Sequence, residues 1–82
     1  MRIRIATMGI MLCLSMAAAA GFMQQGNEAY KKGKLDDAVR YYQKALQAGE
    51  NPSLAYFNLG NCFYQTDKLS RAIVCYRSSL TE

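Results

Sequence analysis

Few side chains in this sequence could do chemistry, because its 82 residues include three cysteines and no histidine. Histidine-based triads, imidazole zinc sites and imidazole proton relays therefore cannot form within these residues. The sequence also lacks a recognisable nucleophile–base pair and a cluster of metal ligands. We therefore predict that these residues are not an enzyme and that they carry no catalytic, cofactor-binding or metal-binding residue.

Two cysteines, Cys62 and Cys75, lie in segments whose residue pattern, described below, predicts helices. They do not form a C-x-x-C pair, and both have apolar neighbours. Burial as a free thiol is the commoner fate of cysteine in such surroundings. A disulfide between them is the alternative in an oxidising compartment, because the geometry of the pair cannot be read from the sequence.

A second group of side chains is suited to binding another polypeptide. It occurs in two sets with the spacing i, i+4, i+7 and i+8, which places each set on one side of a helix. The sets are Met23, Asn27, Tyr30 and Lys31, and then Phe57, Asn61, Tyr64 and Gln65. Asparagine amides can hydrogen-bond to a peptide backbone, and tyrosine offers apolar area with a polar tip. Packing against a neighbouring helix is the alternative role for these residues.

Both sets belong to an internal repeat, which becomes visible when the segment 22–48 is placed over the segment 56–82. Eight positions are then identical, where composition alone would give roughly two. The identical pairs are Gly26 and Gly60, Asn27 and Asn61, Tyr30 and Tyr64, Lys34 and Lys68, Leu35 and Leu69, Ala38 and Ala72, Tyr42 and Tyr76, and Leu46 and Leu80.

Each copy of the repeat predicts two helices. In the first copy, Gly33 separates two patterns of helical periodicity, and Gly49 ends the second pattern. In the second copy we expect helices over residues 53–65 and from 69 to about 80, with a turn at 66–68. The predicted fold class is therefore all-α.

Small and large residues recur at fixed places and predict how the helices pair. The recurring positions are Gly26, Ala38 and Tyr42 in the first copy, and Gly60, Ala72 and Tyr76 in the second. A glycine inside a helix costs up to about 1 kcal/mol relative to alanine, so its recurrence indicates a packing requirement. We expect the glycines and alanines to allow close approach of paired helices, and the tyrosines to fill space further along the contact.

The pattern resembles the tetratricopeptide (TPR) repeat, a helix–turn–helix unit of about 34 residues, which equals the offset between the two copies. The second copy carries the resemblance best, through Tyr56, Leu59-Gly60, Phe63, Ala72 and Tyr76. The resemblance implies two helix–turn–helix units in a fragment of a right-handed α-solenoid, with repeat 1 at 21–52 and repeat 2 at 53–82. It also implies that the two sets of binding residues line a concave face that takes protein or peptide partners. The array is expected to continue beyond these residues or to need a partner.

A narrower resemblance is carried by residues 49–62 and 72–76, together with the Gly26–Tyr30 segment. These strings are similar to BatE, the TPR family of the Bat (Bacteroides aerotolerance) group. The resemblance implies a scaffold in the bacterial cell envelope, beside von Willebrand A-type membrane partners. The alternatives are the TPR region of another exported protein, such as an envelope assembly factor, or of an enzyme whose catalytic domain lies beyond Glu82.

The first twenty residues have the organisation of a secretory signal peptide. Arg2 and Arg4 form a basic start, an apolar centre covers residues 10–14, and alanines occupy 17–20. Cleavage before Gly21 is expected, so that the protein is exported to the periplasm or cell envelope. An uncleaved membrane anchor is the alternative, because the uncharged stretch approaches the roughly 20 residues needed to span a bilayer.

Charge argues against a nucleic-acid partner. The formal net charge is +4, and two of the ten Lys and Arg residues lie in the signal segment. The remaining basic residues are interspersed with acidic ones, whereas nucleic-acid-binding proteins cluster them on one face. We therefore expect protein partners, and contact with a membrane only through an uncleaved N-terminus.

Overall fold

The computed structural model describes residues 21–82, and the predicted signal segment 1–20 lies outside the described residues. This range folds into four α-helices: α1 Phe22–Lys31, α2 Leu35–Gln47, α3 Pro52–Gln65 and α4 Leu69–Thr81. No strand occurs within it, so the all-α prediction is confirmed for these residues. Helix α3 begins at Pro52, one residue before the range 53–65. The sequence pattern Asn51-Pro52 predicts a capping residue followed by a proline in the first turn, and the structure confirms both.

The turns inside the two repeats have the same backbone design. Gly33 and Asp67, which occupy equivalent positions in the two copies, both have left-handed backbone conformations, with φ values of 75° and 61°. In each turn the following N–H donates to a carbonyl of the preceding helix, at 2.9 Å to Ala29 and 2.8 Å to Phe63. These bonds satisfy carbonyls at the helix end that would otherwise lack a partner. The chain therefore reverses direction in the same way in both repeats.

The helices stack in chain order. Helix α2 packs against α1 and α3, and α3 packs against α2 and α4. The central cluster of buried residues draws on all four helices and consists of Ala29, Ala38, Tyr42, Leu59, Cys62 and Cys75. Tyr42 is only 2% exposed and is one of the two largest fully enclosed side chains in this part of the chain. The core is thus built around the second helix of the first repeat.

The two helical glycines face tyrosine rings. A Cβ atom added to Gly26 would lie 2.5 Å from Cε1 of Tyr42, and one added to Gly60 would lie 2.6 Å from Cε1 of Tyr76. The close approach that we predicted is therefore present. Each glycine faces the aromatic ring of a tyrosine rather than the methyl group of an alanine. We had expected the tyrosines to lie further along the helix contact, and that expectation was wrong. In each repeat, therefore, the two helices pack closely through a contact between a glycine and a tyrosine ring.

Candidate protein-binding groove

The first helices of the two repeats border a groove of about 230 Å³, which we call the inter-repeat groove. Its lining residues are Asn27, Tyr30, Lys31, Tyr42, Asn58 and Asn61. Four of these were predicted from their spacing on the helices, namely Asn27, Tyr30, Lys31 and Asn61. Stacking of α1, α2 and α3 brings three residues of the first set to the same groove as one residue of the second set, Asn61.

Two asparagines of the groove are held by tyrosines. The Tyr42 hydroxyl donates to Oδ1 of Asn27 at 2.6 Å. The Tyr76 hydroxyl donates to Oδ1 of Asn61 at 2.7 Å, which repeats the arrangement in the second repeat. Because a phenol O–H selects the amide oxygen, the NH₂ group of each asparagine is left to donate elsewhere. Both asparagines therefore help to pack the helices and also offer donors to a partner.

The other predicted residues lie outside the lining of the inter-repeat groove. Met23 is half-buried, and its sulfur accepts a long hydrogen bond of 3.5 Å from Nδ2 of Asn58. Phe57 and Tyr64 are 48% and 60% exposed. The Phe57 ring centroid lies 5.8 Å from that of Tyr76. Gln65 is exposed at the end of α3. These aromatic surfaces are free to add contact area beside the groove.

Two lining residues are not among the binding residues predicted from the sequence. Tyr42 was assigned a purely structural role, yet its side chain reaches the groove through its bond to Asn27. Asn58 matches, together with Asn27, the asparagines of TPR domains that clamp a C-terminal carboxylate, but that role was set aside because Met23 stands where the first lysine belongs. The i, i+3 relation of Asn58 to Asn61 places it on the same side of the helix and was a second signal for including it.

Lys31 is the one charged residue among the groove lining, and it is exposed at the end of α1. The neighbouring Lys32 instead lines a different groove of about 380 Å³, which also contains Glu28 and Asp37. The inter-repeat groove therefore presents a positive charge and amide donors, whereas the other groove has mixed charge.

The buried cysteines are poorly suited to nucleophilic chemistry. Cys62 and Cys75 are free and buried, as the burial prediction expected. Burial raises the pKa of the Cys62 thiol to about 11, and the nearby Cys75 contributes to this rise. Burial also raises the pKa of Cys75. Because the thiolate is the reactive form, the raised pKa values lower the reactivity of both thiols.

The pKa of Tyr42 is also raised. Burial raises the pKa of its phenol to about 12, with smaller contributions from Cys62 and Tyr30. The hydroxyl therefore stays protonated at neutral pH and keeps donating to Asn27.

Over residues 21–82 there is no cluster of side chains able to hold a metal ion. No helix in the described range is long and apolar enough to cross a membrane.

Comparison with known proteins decides the family. The sequence model described as "Tetratricopeptide repeat" matches residues 23–80. The chain belongs to the tetratricopeptide repeat family. TPR repeats are stacked helical pairs whose extended concave surfaces bind other proteins, and they are generally non-catalytic scaffolds. The inter-repeat groove is therefore part of a protein–protein interaction module.

Two TPR relatives illustrate how widely the repeat is used. The chain is 33% identical over 55 residues to the mitochondrial import receptor subunit TOM70 of Saccharomyces cerevisiae, which covers 67% of this chain and 9% of the relative. It is 36% identical over 66 residues to the RNA polymerase-associated protein CTR9 of Caenorhabditis elegans, covering 78% of this chain and 6% of the relative. The chain thus spans less than a tenth of either protein's length.

Proposed function

We propose that the inter-repeat groove binds an extended segment of a partner protein. The observation that carries this proposal is the pair of tyrosine-held asparagines, Asn27 and Asn61, whose amide NH₂ groups have no acceptor among residues 21–82. A peptide in extended conformation presents a backbone carbonyl at every residue, so fixed amide donors on two neighbouring helices can bind it in one orientation. One TPR relative is named an import receptor subunit, which is consistent with binding a polypeptide.

Charge and apolar area define the kind of segment that fits. Lys31 favours an acidic side chain or a carboxylate near the end of α1, because a charged donor strengthens a hydrogen bond to an anion. Phe57 and Tyr64 are exposed and can bury apolar side chains of the same segment. We therefore expect a partner segment with acidic and apolar residues.

A matched pair of lysine variants tests this site. Random linear peptides are selected on the immobilised full chain, and the affinity of the selected peptides is then measured by fluorescence anisotropy. We expect Lys31→Glu to weaken binding by about tenfold or more, equivalent to roughly 1.4 kcal/mol. Lys32→Glu makes the same charge change one residue away, in a different groove, and should leave the affinity within about twofold, as is usual for a charge outside the contact.

The two variants also separate the groove from general electrostatic attraction. Both lysines are exposed and both variants change the net charge equally. Equal losses of affinity in Lys31→Glu and Lys32→Glu would mean that the peptides respond to overall charge. Selected peptides that ignore both substitutions would place binding elsewhere. Either result would contradict binding in the inter-repeat groove.

We further propose that the module is exported and works in the bacterial cell envelope. The support is the organisation of residues 1–20 as a signal peptide and the resemblance of residues 49–62 to BatE. Protein purified from the native envelope should begin at Gly21 or within two residues of it, as measured by N-terminal sequencing. Retention of Met1 on membrane-bound material would favour an uncleaved anchor instead.

Within that setting, the resemblance to BatE nominates von Willebrand A-type membrane proteins as partners. The proposal extends the groove hypothesis, because such a partner would supply the acidic and apolar segment. The same lysine variants can be measured against the purified von Willebrand A domain encoded in the same genome. Binding that Lys31→Glu weakens and Lys32→Glu preserves would support this partner, and absence of binding to the unaltered chain would exclude it.

A further inference from the structure

A second groove lies between the second helices of the two repeats. Its volume is about 350 Å³, and its sides come from α2 and from the start of α4. We call it the outer groove. Its lining includes Asp36 and Val39 of α2, Phe63 of α3, and Lys68 and Arg71 at the start of α4. It shares no lining residue with the inter-repeat groove.

An apolar cavity of about 280 Å³ adjoins the outer groove, because Phe63 and Arg71 line both. Val74 and Cys75 of α4 also line this cavity. Val74 is 61% exposed, whereas Val39 and Phe63 pack against the central cluster of buried residues. This packing holds the apolar surface in place, so a bound side chain would meet a preformed site.

The two repeats carry different charges at this surface. In α2, Asp37 forms an ion pair with Arg40, and it is the one ion pair within residues 21–82. Helix α4 contains no acidic residue, so nothing on its own helix neutralises Arg71. The equivalent positions are Asp36 and Ser70, Asp37 and Arg71, and Arg40 and Val74. The second repeat therefore has an unpaired base and an apolar residue where the first repeat has an acid paired with a base.

The α4 side of the outer groove is consequently basic. Lys68 and Arg71 are both exposed, and neither forms an ion pair within the described residues. Asp36 is the one acidic residue in the lining, and it lies on the α2 side. Arg40 on that side is already paired with Asp37. An acidic group that enters the groove would therefore be attracted to the α4 side, where the two unpaired cations lie.

The contact between Arg71 and Phe63 joins the basic surface to the apolar one. Cζ of Arg71 lies 5.8 Å from the centroid of the Phe63 ring, which is a cation–π distance. The planar fork of N–H donors on a guanidinium matches the two oxygens of a carboxylate. A residue bound to Arg71 through its carboxylate would thus have its sequence neighbours within reach of Phe63 and Val74.

We propose that the outer groove is a second protein-binding surface, which binds an acidic segment of a partner protein. A carboxylate of the segment pairs with Arg71, and a neighbouring aliphatic or aromatic side chain packs on Phe63 and Val74. The surface goes beyond the proposed function, because it lies between α2 and α4 and uses a basic and an apolar patch, whereas the inter-repeat groove offers the amide donors of Asn27 and Asn61.

A protein segment fits this surface better than a lipid headgroup layer or a nucleic acid does. Those partners present many negative charges at once, and they would also meet the exposed carboxylate of Asp36, which repels them. Nucleic-acid-binding surfaces carry clustered basic residues, whereas only Lys68 and Arg71 are unpaired here. A peptide can place its acidic residue on the α4 side alone.

Peptide selection on a chain with an altered inter-repeat groove tests the proposal. Random linear peptides are selected on the immobilised full chain that carries Lys31→Glu, and their affinities are measured by fluorescence anisotropy. We expect the selected peptides to contain an acidic residue within about two positions of an aliphatic or aromatic one, the reach of adjacent side chains. Arg71→Glu should weaken their binding by about tenfold or more. Val74→Ser should weaken it by about threefold, because part of an apolar contact is lost.

Arg77→Glu is the matched control. It makes the same charge change on the same helix, and Arg77 is exposed and lines neither the outer groove nor the adjoining cavity. Its affinity should stay within about twofold of that of the parent chain. The first repeat has an aspartate at the position of Arg71, so an acidic residue is compatible with the helix there, and circular dichroism checks that Arg71→Glu folds.

Several results would overturn the proposal. Equal losses in Arg71→Glu and Arg77→Glu would mean that the peptides respond to overall charge. A selection that returns no acidic peptides, or peptides that ignore Arg71→Glu, would place binding elsewhere. Phosphatidylglycerol vesicles that bind the chain through Arg71 would indicate a membrane surface instead. Self-association that Arg71→Glu abolishes in sedimentation would indicate a second copy of the chain as the occupant.

Discussion

Gly26→Ala is expected to lower the free energy of unfolding by up to about 2 kcal/mol, because overpacking a well-packed site usually costs about 1–3 kcal/mol and the higher helix propensity of alanine offsets about 1 kcal/mol. The added Cβ would lie 2.5 Å from Cε1 and 2.7 Å from Cδ1 of Tyr42. Alanine gains about 1 kcal/mol of helix propensity over glycine, which offsets only part of this cost. The Tyr42 ring cannot move aside easily, because it is 2% exposed and its hydroxyl is bonded to Asn27.

Gly60→Ala should lower the free energy of unfolding less than Gly26→Ala does. The distances from the added Cβ atom to the facing tyrosine ring are nevertheless nearly equal at the two sites. Its Cβ would lie 2.6 Å from Cε1 of Tyr76. Tyr76 is only partly buried, since no helix in the described range covers α4 as α3 covers α2. Its ring can therefore turn outward by a few tenths of an ångström at small cost. The difference between the two variants measures how firmly the neighbouring helix holds each tyrosine.

Urea midpoints of the two variants and of Gln24→Ala provide the measurement. Gln24 is an exposed residue of α1, so alanine there should be nearly neutral. The double variant Gly26→Ala with Tyr42→Leu should lose less than the sum of its single variants, because the clash and the ring are one contact. If Gly26→Ala is stabilising, or if the losses in the double variant are additive, the Tyr42 ring is not what requires glycine at position 26.

Much of the fold could be predicted from the sequence because each helix and turn pattern occurs in both copies of the repeat. The register of the repeat aligned Gly33 with Asp67, and the structure gives both a left-handed conformation that ends a helix. A lone Asp67 would have been a weak indication of a turn, since non-glycine residues adopt positive φ rarely. Agreement between the copies thus located a turn whose local sequence was ambiguous.

The details of the site were less predictable because they depend on side-chain direction. Helical spacing placed Asn27 and Asn61 on corresponding faces, but it did not reveal that Tyr42 and Tyr76 donate to them. Those bonds join residues 15 positions apart on different helices. Their formation depends on the crossing geometry, which periodicity within a single helix does not encode. The orientation of each amide, and with it the donor offered to a partner, came only from the packed structure.

Helix α3 packs against α2, where three apolar side chains are partly buried, whereas the equivalent side chains of α4 are exposed. The partly buried residues are Leu35, Val39 and Leu46, and the exposed ones are Leu69, Ile73 and Leu80. This contrast leads to a second large expected effect. Residues 21–82 alone should be weakly stable, because each repeat is stabilised mainly by its neighbours and about three repeats are normally needed. Adding a copy of residues 49–66 directly after Glu82 continues the register of the repeat and places an α3-like helix against α4. We expect the free energy of unfolding to rise by about 2–4 kcal/mol, since burying a large apolar side chain contributes about 1.5–3 kcal/mol when complete.

Chemical denaturation of the original and extended chains measures this gain, with circular dichroism confirming that the added residues are helical. Replacing the copied Leu59 by aspartate should remove most of the increase, because the new helix then lacks the side chain that α3 buries against α2. Gln65 is exposed in α3, so replacing the copied Gln65 by alanine should preserve the increase in the free energy of unfolding. A sharply cooperative, high-temperature transition in residues 21–82 alone would contradict the dependence on a neighbour. An equal gain from the aspartate copy would show that the added helix acts without covering Leu69, Ile73 and Leu80.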